Sequence, residues 1–171
     1  MNLIEFFEEK QYKPSQKTAA LAGNLINGKV LARDLIAFAA EAKDPQKATC
    51  IEAVEYVCRE KPEIVNAELF DFIIQQLNSK APRVKWESAK VIGHCAHRFV
   101  NALEEAIQNL LQNSSHPGTV VRWSVAYALS QIFRLRTKHN KTLLTAIETI
   151  LKREEKNSIR KIYLKALKET T

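Results

Sequence analysis

The residues best suited to chemistry form a short histidine–cysteine group near the middle of the chain: His94, Cys95 and His97. Two histidines one helical turn apart can share a metal ion, but no third ligand follows at a recognisable zinc-site spacing. Cys95 falls on an apolar helical stripe, where a thiol is a small buried hydrophobe rather than a nucleophile. The sequence also lacks a Gly-rich phosphate loop, an HExxH motif and a GxSxG motif. We therefore predict no enzyme activity, no metal site and no cofactor.

Two segments around the tryptophans Trp86 and Trp123 are similar to each other and indicate an internal repeat. PRVKWESAKVIGHC (82–95) aligns with TVVRWSVAYALSQI (119–132) through a V-[KR]-W triplet. The basic residue of this triplet extends into a column with steps of 38, 37 and 38 residues: Lys47, Lys85, Arg122 and Arg160. A period of this length is typical of arrays of helical hairpins.

A second column, made of asparagines, precedes the basic column by 19 to 21 residues: Asn27, Asn66, Asn101 and Asn140. Because asparagine is a favoured N-cap, we predict that each repeat has a first helix behind its asparagine and a second helix starting near its basic residue. The predicted first helices are 29–42, 67–78, 102–112 and 141–153, and the second helices are 45–60, 83–99, 119–135 and 157–169. Two further helices, about 2–11 and 15–27, the latter capped by Ser15, are predicted to shield the first repeat.

The second helix of the third repeat resembles that of a HEAT repeat. It begins with Val121-Arg122 and continues with Ser124, Ala128 and Leu129, and the second repeat matches with Val84-Lys85, Ser88, Val91 and Ile92. The resemblance implies an all-α fold, a right-handed α-solenoid of about four helical hairpins in a single domain, 1–171. Its parts would be a cap, 1–27, and repeats at 27–62, 63–100, 101–136 and 137–171.

One position departs from the family pattern. Many HEAT repeats pair the arginine of the second helix with an aspartate about six residues earlier, and that column here holds Glu41, Ser79, His116 and Glu154. The resemblance therefore implies only a partial ladder of such pairs. The basic column is still better interpreted as a hydrogen-bonding device between repeats than as a row of ligand contacts.

HEAT arrays are mostly protein-binding scaffolds whose second helices line the concave surface, and this resemblance implies where a partner binds. At 100° per residue, the side of these helices opposite the apolar stripe is predicted to carry Ala48, Glu52, Glu55 and Arg59; Trp86, Lys90, Gly93 and His97; Trp123, Tyr127, Ser130 and Arg134; and Lys161, Lys165 and Lys168. We assign the partner contacts to five of them: Trp86, Lys90, Trp123, Tyr127 and Arg134. The alternative is that the two tryptophans pack against each other in a spine without a ligand.

The net charge of +7 lies at one end of the chain. Residues 1–133 contain 15 basic and 15 acidic residues, whereas residues 134–171 contain 11 basic and 4 acidic ones. A lysine-rich group in the last predicted helix is a candidate contact for phosphate or for an acidic partner, the alternative being a solvated end: Arg160, Lys161, Lys165 and Lys168.

Two functions follow from these features. The first is a scaffold that binds an acidic or amphipathic protein or peptide, and it is favoured because Glu52 and Glu55 would repel a long polyanion. The second is nucleic-acid binding, since VRWSVAYAL is similar to a repeat of the HEAT-like DNA alkylation repair glycosylases. Those enzymes place a carboxylate in a basic groove, and the central second helices here offer only Glu87.

The composition indicates the cellular compartment in which the protein resides. Apolar residues make up 46% of the chain and charged residues 26%, and no run of 18 apolar residues is present. The start MNLIEFFEEK is acidic, and the three cysteines form no CxxC pair. We predict a cytoplasmic protein with no membrane partner, and leave the oligomeric state open.

Overall fold

A computed structural model describes residues 1–170, and this part of the chain contains α-helices and short 3-10 turns but no strand. The helices are α1 Leu3–Glu8, α2 Pro14–Ile26, α3 Ala32–Glu41, α4 Asp44–Glu60, α5 Ala67–Gln76, α6 Pro82–Cys95, α7 Leu103–Asn113, α8 Thr119–Arg134, α9 Asn140–Arg153 and α10 Asn157–Thr170. The predicted helices are confirmed, most of them to within about two residues at each end. Between residues 1 and 170, no helix is both long and apolar enough to cross a lipid bilayer.

The asparagine column marks three of the four helix starts. Asn66 caps α5, where its side chain accepts a hydrogen bond from the Leu69 N–H at 2.9 Å. Asn140 is the first residue of α9, and Asn101 lies in a 3-10 turn two residues before α7. These positions confirm the repeat register for the last three repeats.

The prediction for Asn27 is wrong, because this residue ends α2 instead of starting α3. Its backbone N–H bonds to the carbonyl of Gly23, and the next residue, Gly28, has a φ of 68°. Glycine adopts this left-handed conformation without the steric cost that a side chain brings, so the Asn-Gly pair terminates the helix. Helix α3 begins only at Ala32.

Ser15 is likewise not the cap of α2. Lys13 occupies the N-cap position and Pro14 the first helical position, where a missing N–H has no consequence. The side chain of Gln16 accepts a hydrogen bond from the N–H of Lys13, the N-cap residue, at 2.9 Å.

The helices form two layers. Helices α2, α4, α6, α8 and α10 pack side by side in that order, and we call them the inner layer. Helices α3, α5 and α7 also follow one another, but with less extensive packing, and with α9 they form the outer layer. A continuous apolar core joins the layers, with fully buried side chains such as Ile51, Phe70, Ile92, Leu110 and Leu129. The closer packing of the inner layer indicates that the array curves towards it.

The basic column connects consecutive repeats. The Lys85 Nζ donates to the carbonyl of Leu77 at 2.9 Å and to the Asn113 Oδ1 of the next repeat at 2.6 Å. Arg122 pairs with Glu154 of the following repeat, with 2.8 Å between Nε and Oε2. Both donors therefore tie one hairpin to the next, which confirms the hydrogen-bonding interpretation for these two positions. Glu154 occupies the column in which many HEAT repeats carry aspartate.

Candidate functional site

The candidate site is a narrow band of the inner layer that is left accessible between neighbouring helices. Most residues of α4, α6 and α8 are buried by the outer layer on one side and by the adjacent inner helices on two others. The band, which we call the inner strip, consists of Glu52, Tyr56 and Arg59 on α4; Trp86, Lys90 and His94 on α6, followed by His97; Trp123, Tyr127, Gln131 and Arg134 on α8; and Lys161, Lys165 and Glu169 on α10.

All five residues predicted to contact a partner lie on the inner strip. Trp123 is 42% exposed, and Trp86, Lys90, Tyr127 and Arg134 are half-buried. Ala48 was predicted on this side of the inner helices but is buried. Periodicity also placed Glu55, Gly93 and Ser130 there, where the structure has Tyr56, His94 and Gln131. Those three predicted residues are buried against neighbouring inner helices.

The two tryptophans have separate surroundings. The Trp123 ring stacks on Tyr127, one turn along α8, with 6.1 Å between ring centroids and 8° between ring planes. The Trp86 Nε1 donates to Glu87 at 2.8 Å, and its ring packs against the core. No aromatic contact joins Trp86 to Trp123 within residues 1–170. The pair therefore does not form the stacked spine that was the alternative prediction.

A polar chain crosses three inner helices at the centre of the strip. The His94 Nε2 lies 3.0 Å from Glu55 Oε1, and the His94 Nδ1 lies 3.1 Å from the Tyr127 hydroxyl. Burial raises the pKa of Tyr127, so its hydroxyl stays protonated. This arrangement orients the ring of Tyr127 and, through it, the ring of Trp123.

Gly93 makes this chain possible. A Cβ atom at position 93 would lie 2.5 Å from Cε1 of Tyr127, closer than carbon atoms approach without displacement. The absence of a side chain lets the tyrosine lie across α6 and reach His94. A shallow cavity of about 180 Å³ remains beside the hydroxyl, with Gln131 and His97 in its wall.

Two buried carboxylates, Glu55 and Glu87, lie beneath cations of the strip. Glu55 and Glu87 are each only 4% exposed, and they pair with Arg59 at 3.2 Å and with Lys90 at 2.9 Å. Burial opposes ionisation of Glu55, but the hydrogen bond from His94 and the charges of Lys90 and Arg59 outweigh it and hold its pKa below the usual value. The Glu55 carboxylate is thus covered and neutralised.

Glu52 is also engaged, because its Oε2 accepts from Arg83 at 2.9 Å and from Thr18 at 3.0 Å. The predicted repulsion of polyanions by Glu52 and Glu55 therefore loses its basis. The cations Arg59, Arg83 and Lys90 are between 28% and 46% exposed and form the outward part of these pairs.

At the C-terminal end, the four predicted basic contacts divide into two kinds. The Arg160 guanidinium donates to the carbonyls of Leu151 and Glu154 at the end of α9, so it is engaged in stabilising that helix. Lys161, Lys165 and Lys168 are exposed, and Lys165 is 3.8 Å from Glu169, which also binds Arg134 at 2.7 Å. The three lysines and Leu164, which is 48% exposed, lie on the solvent-exposed side of the last helix.

Cys95 of the histidine–cysteine group is buried, as are the other two cysteines. Cys50, Cys58 and Cys95 are free and buried, and burial raises the pKa of the Cys50 thiol to about 12. In the part of the chain that the structure describes, no three His, Cys, Asp or Glu side chains are grouped so that they could hold a metal ion.

Comparison with known proteins identifies the fold. The structure is similar to a designed armadillo repeat protein, with a TM-score of 0.75 and 14% identity over 99% of this chain and 81% of that one. A second designed armadillo repeat protein, in complex with the peptide (KR)4, has a TM-score of 0.76 and 15% identity over 99% of this chain and 80% of that one. A chain in the complex of CpcE and CpcF of phycocyanin lyase from Nostoc sp. PCC7120 has a TM-score of 0.75 and 16% identity over 96% of both chains.

No protein-family model and no curated protein matches the sequence. The solved structures, all at low identity, establish the architecture that the repeat register and the V-[KR]-W triplets predicted. The resemblance to HEAT repeats is thus confirmed at the level of the fold, and the chain is an α-solenoid of the armadillo/HEAT-like type.

Proposed function

We propose that this chain is a non-enzymatic binding module that holds an acidic segment of a partner protein along the inner strip. The observation that carries the proposal is the position of Trp123, an exposed ring fixed by stacking on Tyr127 among cations whose carboxylates are buried. A tryptophan held in this way can act as a binding anchor, because little side-chain entropy is lost when a partner covers it.

Charge selects the class of partner. Arg59 and Lys90 extend outward over Glu55 and Glu87, and the last inner helix adds Lys161, Lys165 and Lys168. A partner that approaches the strip therefore meets positive charge first, which favours and steers an acidic segment. Two structural relatives support a protein partner, since one is bound to a peptide and the other belongs to a protein complex.

The remaining sequence predictions belong to the same proposal. We divide the chain into a cap, 1–27, and repeats at 27–62, 63–100, 101–136 and 137–171. A cytoplasmic location fits the three free cysteines, because thiols persist in reducing compartments.

The experiment compares two peptides of opposite charge, (DE)4 and (KR)4, in a titration followed by tryptophan fluorescence on a Trp86→Phe background. We expect (DE)4 to bind more tightly and to change the emission of Trp123. The Trp123→Ala variant, measured by fluorescence anisotropy of a labelled peptide, should lose about 30-fold in affinity, the effect of a hot spot worth about 2 kcal/mol.

The matched control is Tyr12→Ala, which removes an exposed aromatic ring outside the inner strip. This variant should bind (DE)4 as the parent does. Preference for (KR)4, or equal losses in the Trp123 and Tyr12 variants, would refute the acidic-partner proposal.

A further inference from the structure

The outer layer contains a gap between its last two helices. Helices α3, α5 and α7 pack in succession, whereas α9 packs mainly on α8 and α10. The space between α7 and α9 is a groove of about 570 Å³, larger than the cavity beside Tyr127. Leu111 of α7 and Ala146 and Ile150 of α9 contribute apolar side chains to it. The groove lies in the opposite layer from the inner strip.

Three threonines of α9 also line the groove: Thr142, Thr145 and Thr149. The hydroxyls of Thr145 and Thr149 donate to carbonyls one turn back in their own helix, at 3.4 and 2.9 Å. Hydroxyls engaged in this way offer little hydrogen bonding to a ligand and leave the methyl groups as contact surface. A helical segment, which satisfies its own backbone hydrogen bonds, therefore suits this surface better than an extended strand that needs partners in the groove.

The charges of the groove are all positive. Lys141 and Arg153 are exposed at its two ends, and no carboxylate lines it. Arg153 donates to the Ser114 Oγ at 2.7 Å but forms no ion pair in the described part of the chain, and neither does Lys141. The cations near the middle of the inner strip differ, since each of Arg59 and Lys90 already has a buried carboxylate as an ion-pair partner.

We propose that the groove between α7 and α9 binds an amphipathic helix of a partner protein that carries acidic residues near both of its ends. The apolar stripe of this helix would cover the half-buried Leu111 and Ala146 and lie against the edge of the buried Ile150. Lys141 and Arg153 are 12 residues apart on α9, which corresponds to about 18 Å along the helix axis. The acidic groups of a partner helix lying along α9 would thus be about three turns apart, the spacing that sets its register in the groove.

The test uses a synthetic peptide of about 16 residues with leucines at helical spacing and glutamates in its first and last turns. We expect it to bind the full chain and to shift the methyl NMR signals of Leu111, Ala146 and Ile150. The Lys141→Glu, Arg153→Glu double variant should lower its affinity at least about tenfold, because two attractive charge pairs become repulsive. Lys152→Glu is the matched control, since Lys152 is exposed on the same helix but does not line the groove.

Further measurements separate this groove from the inner strip and from other occupants. Trp123→Ala should leave binding of the leucine–glutamate peptide unchanged, so failure of one site is distinguishable from failure of the other. The proposal is overturned if the peptide does not bind at about 1 mM, or if a version with lysines in place of the glutamates binds equally well. Equal binding of a proline-containing, non-helical version, or self-association that shifts the same methyl signals, would also overturn it.

Discussion

The substitution Gly93→Ala tests the polar chain at the centre of the inner strip. The new Cβ would lie 2.5 Å from Cε1 and 2.8 Å from Cδ1 of Tyr127, and 3.2 Å from Cα of Ala128. The tyrosine cannot move aside without consequence, because its hydroxyl is bonded to His94 and its ring is stacked on Trp123. The backbone of α8 cannot move easily either, since it packs against both α6 and α10.

The expected change in stability caused by Gly93→Ala is the sum of three contributions to the free energy of unfolding. Alanine in place of glycine within a helix adds about 1 kcal/mol. Overpacking removes about 1–3 kcal/mol, and loss of the Tyr127–His94 hydrogen bond removes about 1 kcal/mol. The net expectation is a loss of about 1–3 kcal/mol, which lowers the Tm of a chain of this size by roughly 2–12 °C.

Gly23→Ala is the matched control, because it makes the same change within α2, where a Cβ meets no atom within 4 Å. It should raise the free energy of unfolding by about 0.5–1 kcal/mol. Urea denaturation followed by circular dichroism measures both variants. If Gly93→Ala is as stable as the parent, or gains as much as Gly23→Ala, the close approach of Tyr127 to α6 is not a constraint and the reasoning fails.

Three further predictions concern the repeat contacts, the exposed ring and the C-terminal charge. Burial disfavours the ionised form of Glu154, but hydrogen bonds from Arg122 and from the Lys156 N–H outweigh burial and hold the pKa of Glu154 below the usual value. The ionised carboxylate therefore stabilises the fold above about pH 4.5, and this stabilisation is lost as the pH falls through the lowered pKa. Glu154→Gln should therefore flatten the acid limb of a stability–pH profile, and equal acid limbs in variant and parent would contradict this. Glu154→Ala should cost about 1–3 kcal/mol, because Arg122 loses its ion pair but still donates to the carbonyls of His116 and Pro117. Trp123→Ala should lower the free energy of unfolding by less than about 1 kcal/mol, whereas Phe70→Ala, which removes a fully buried ring, should lower it by about 3–5 kcal/mol. If thermal denaturation shows the larger loss for the Trp123 variant, Trp123 is a core residue. Replacing Lys161, Lys165 and Lys168 together by serine should reduce the slope of log K against log salt for duplex DNA by about 0.9 per phosphate contact removed; tight duplex binding by the parent at physiological salt would instead favour the nucleic-acid alternative.

Much of the fold was predictable because it depends on local chemistry. The apolar period and the N-cap at Asn66 act within a few residues of one another, and the helices they predicted are present. The basic column was predictable for a related reason, since one residue type at one repeat position implies one recurring contact. Asn27 shows the limit of this reasoning: the following Gly28 converts the same residue type from a helix start into a helix end.

Periodicity in the sequence predicted the helical hairpins, the register of the last three repeats and the position of Trp123 and Tyr127 on one side of α8. Tertiary packing was needed to place His94 and Gln131 on that surface and to remove Gly93 and Ser130 from it, because a neighbouring helix covers one flank of each inner helix. It also decided that Glu55 lies beneath Arg59 and that α7 and α9 stand apart. Periodicity gives the angle of a residue around its own helix, but burial and charge pairing depend on helices that arrive more than 30 residues away in the chain.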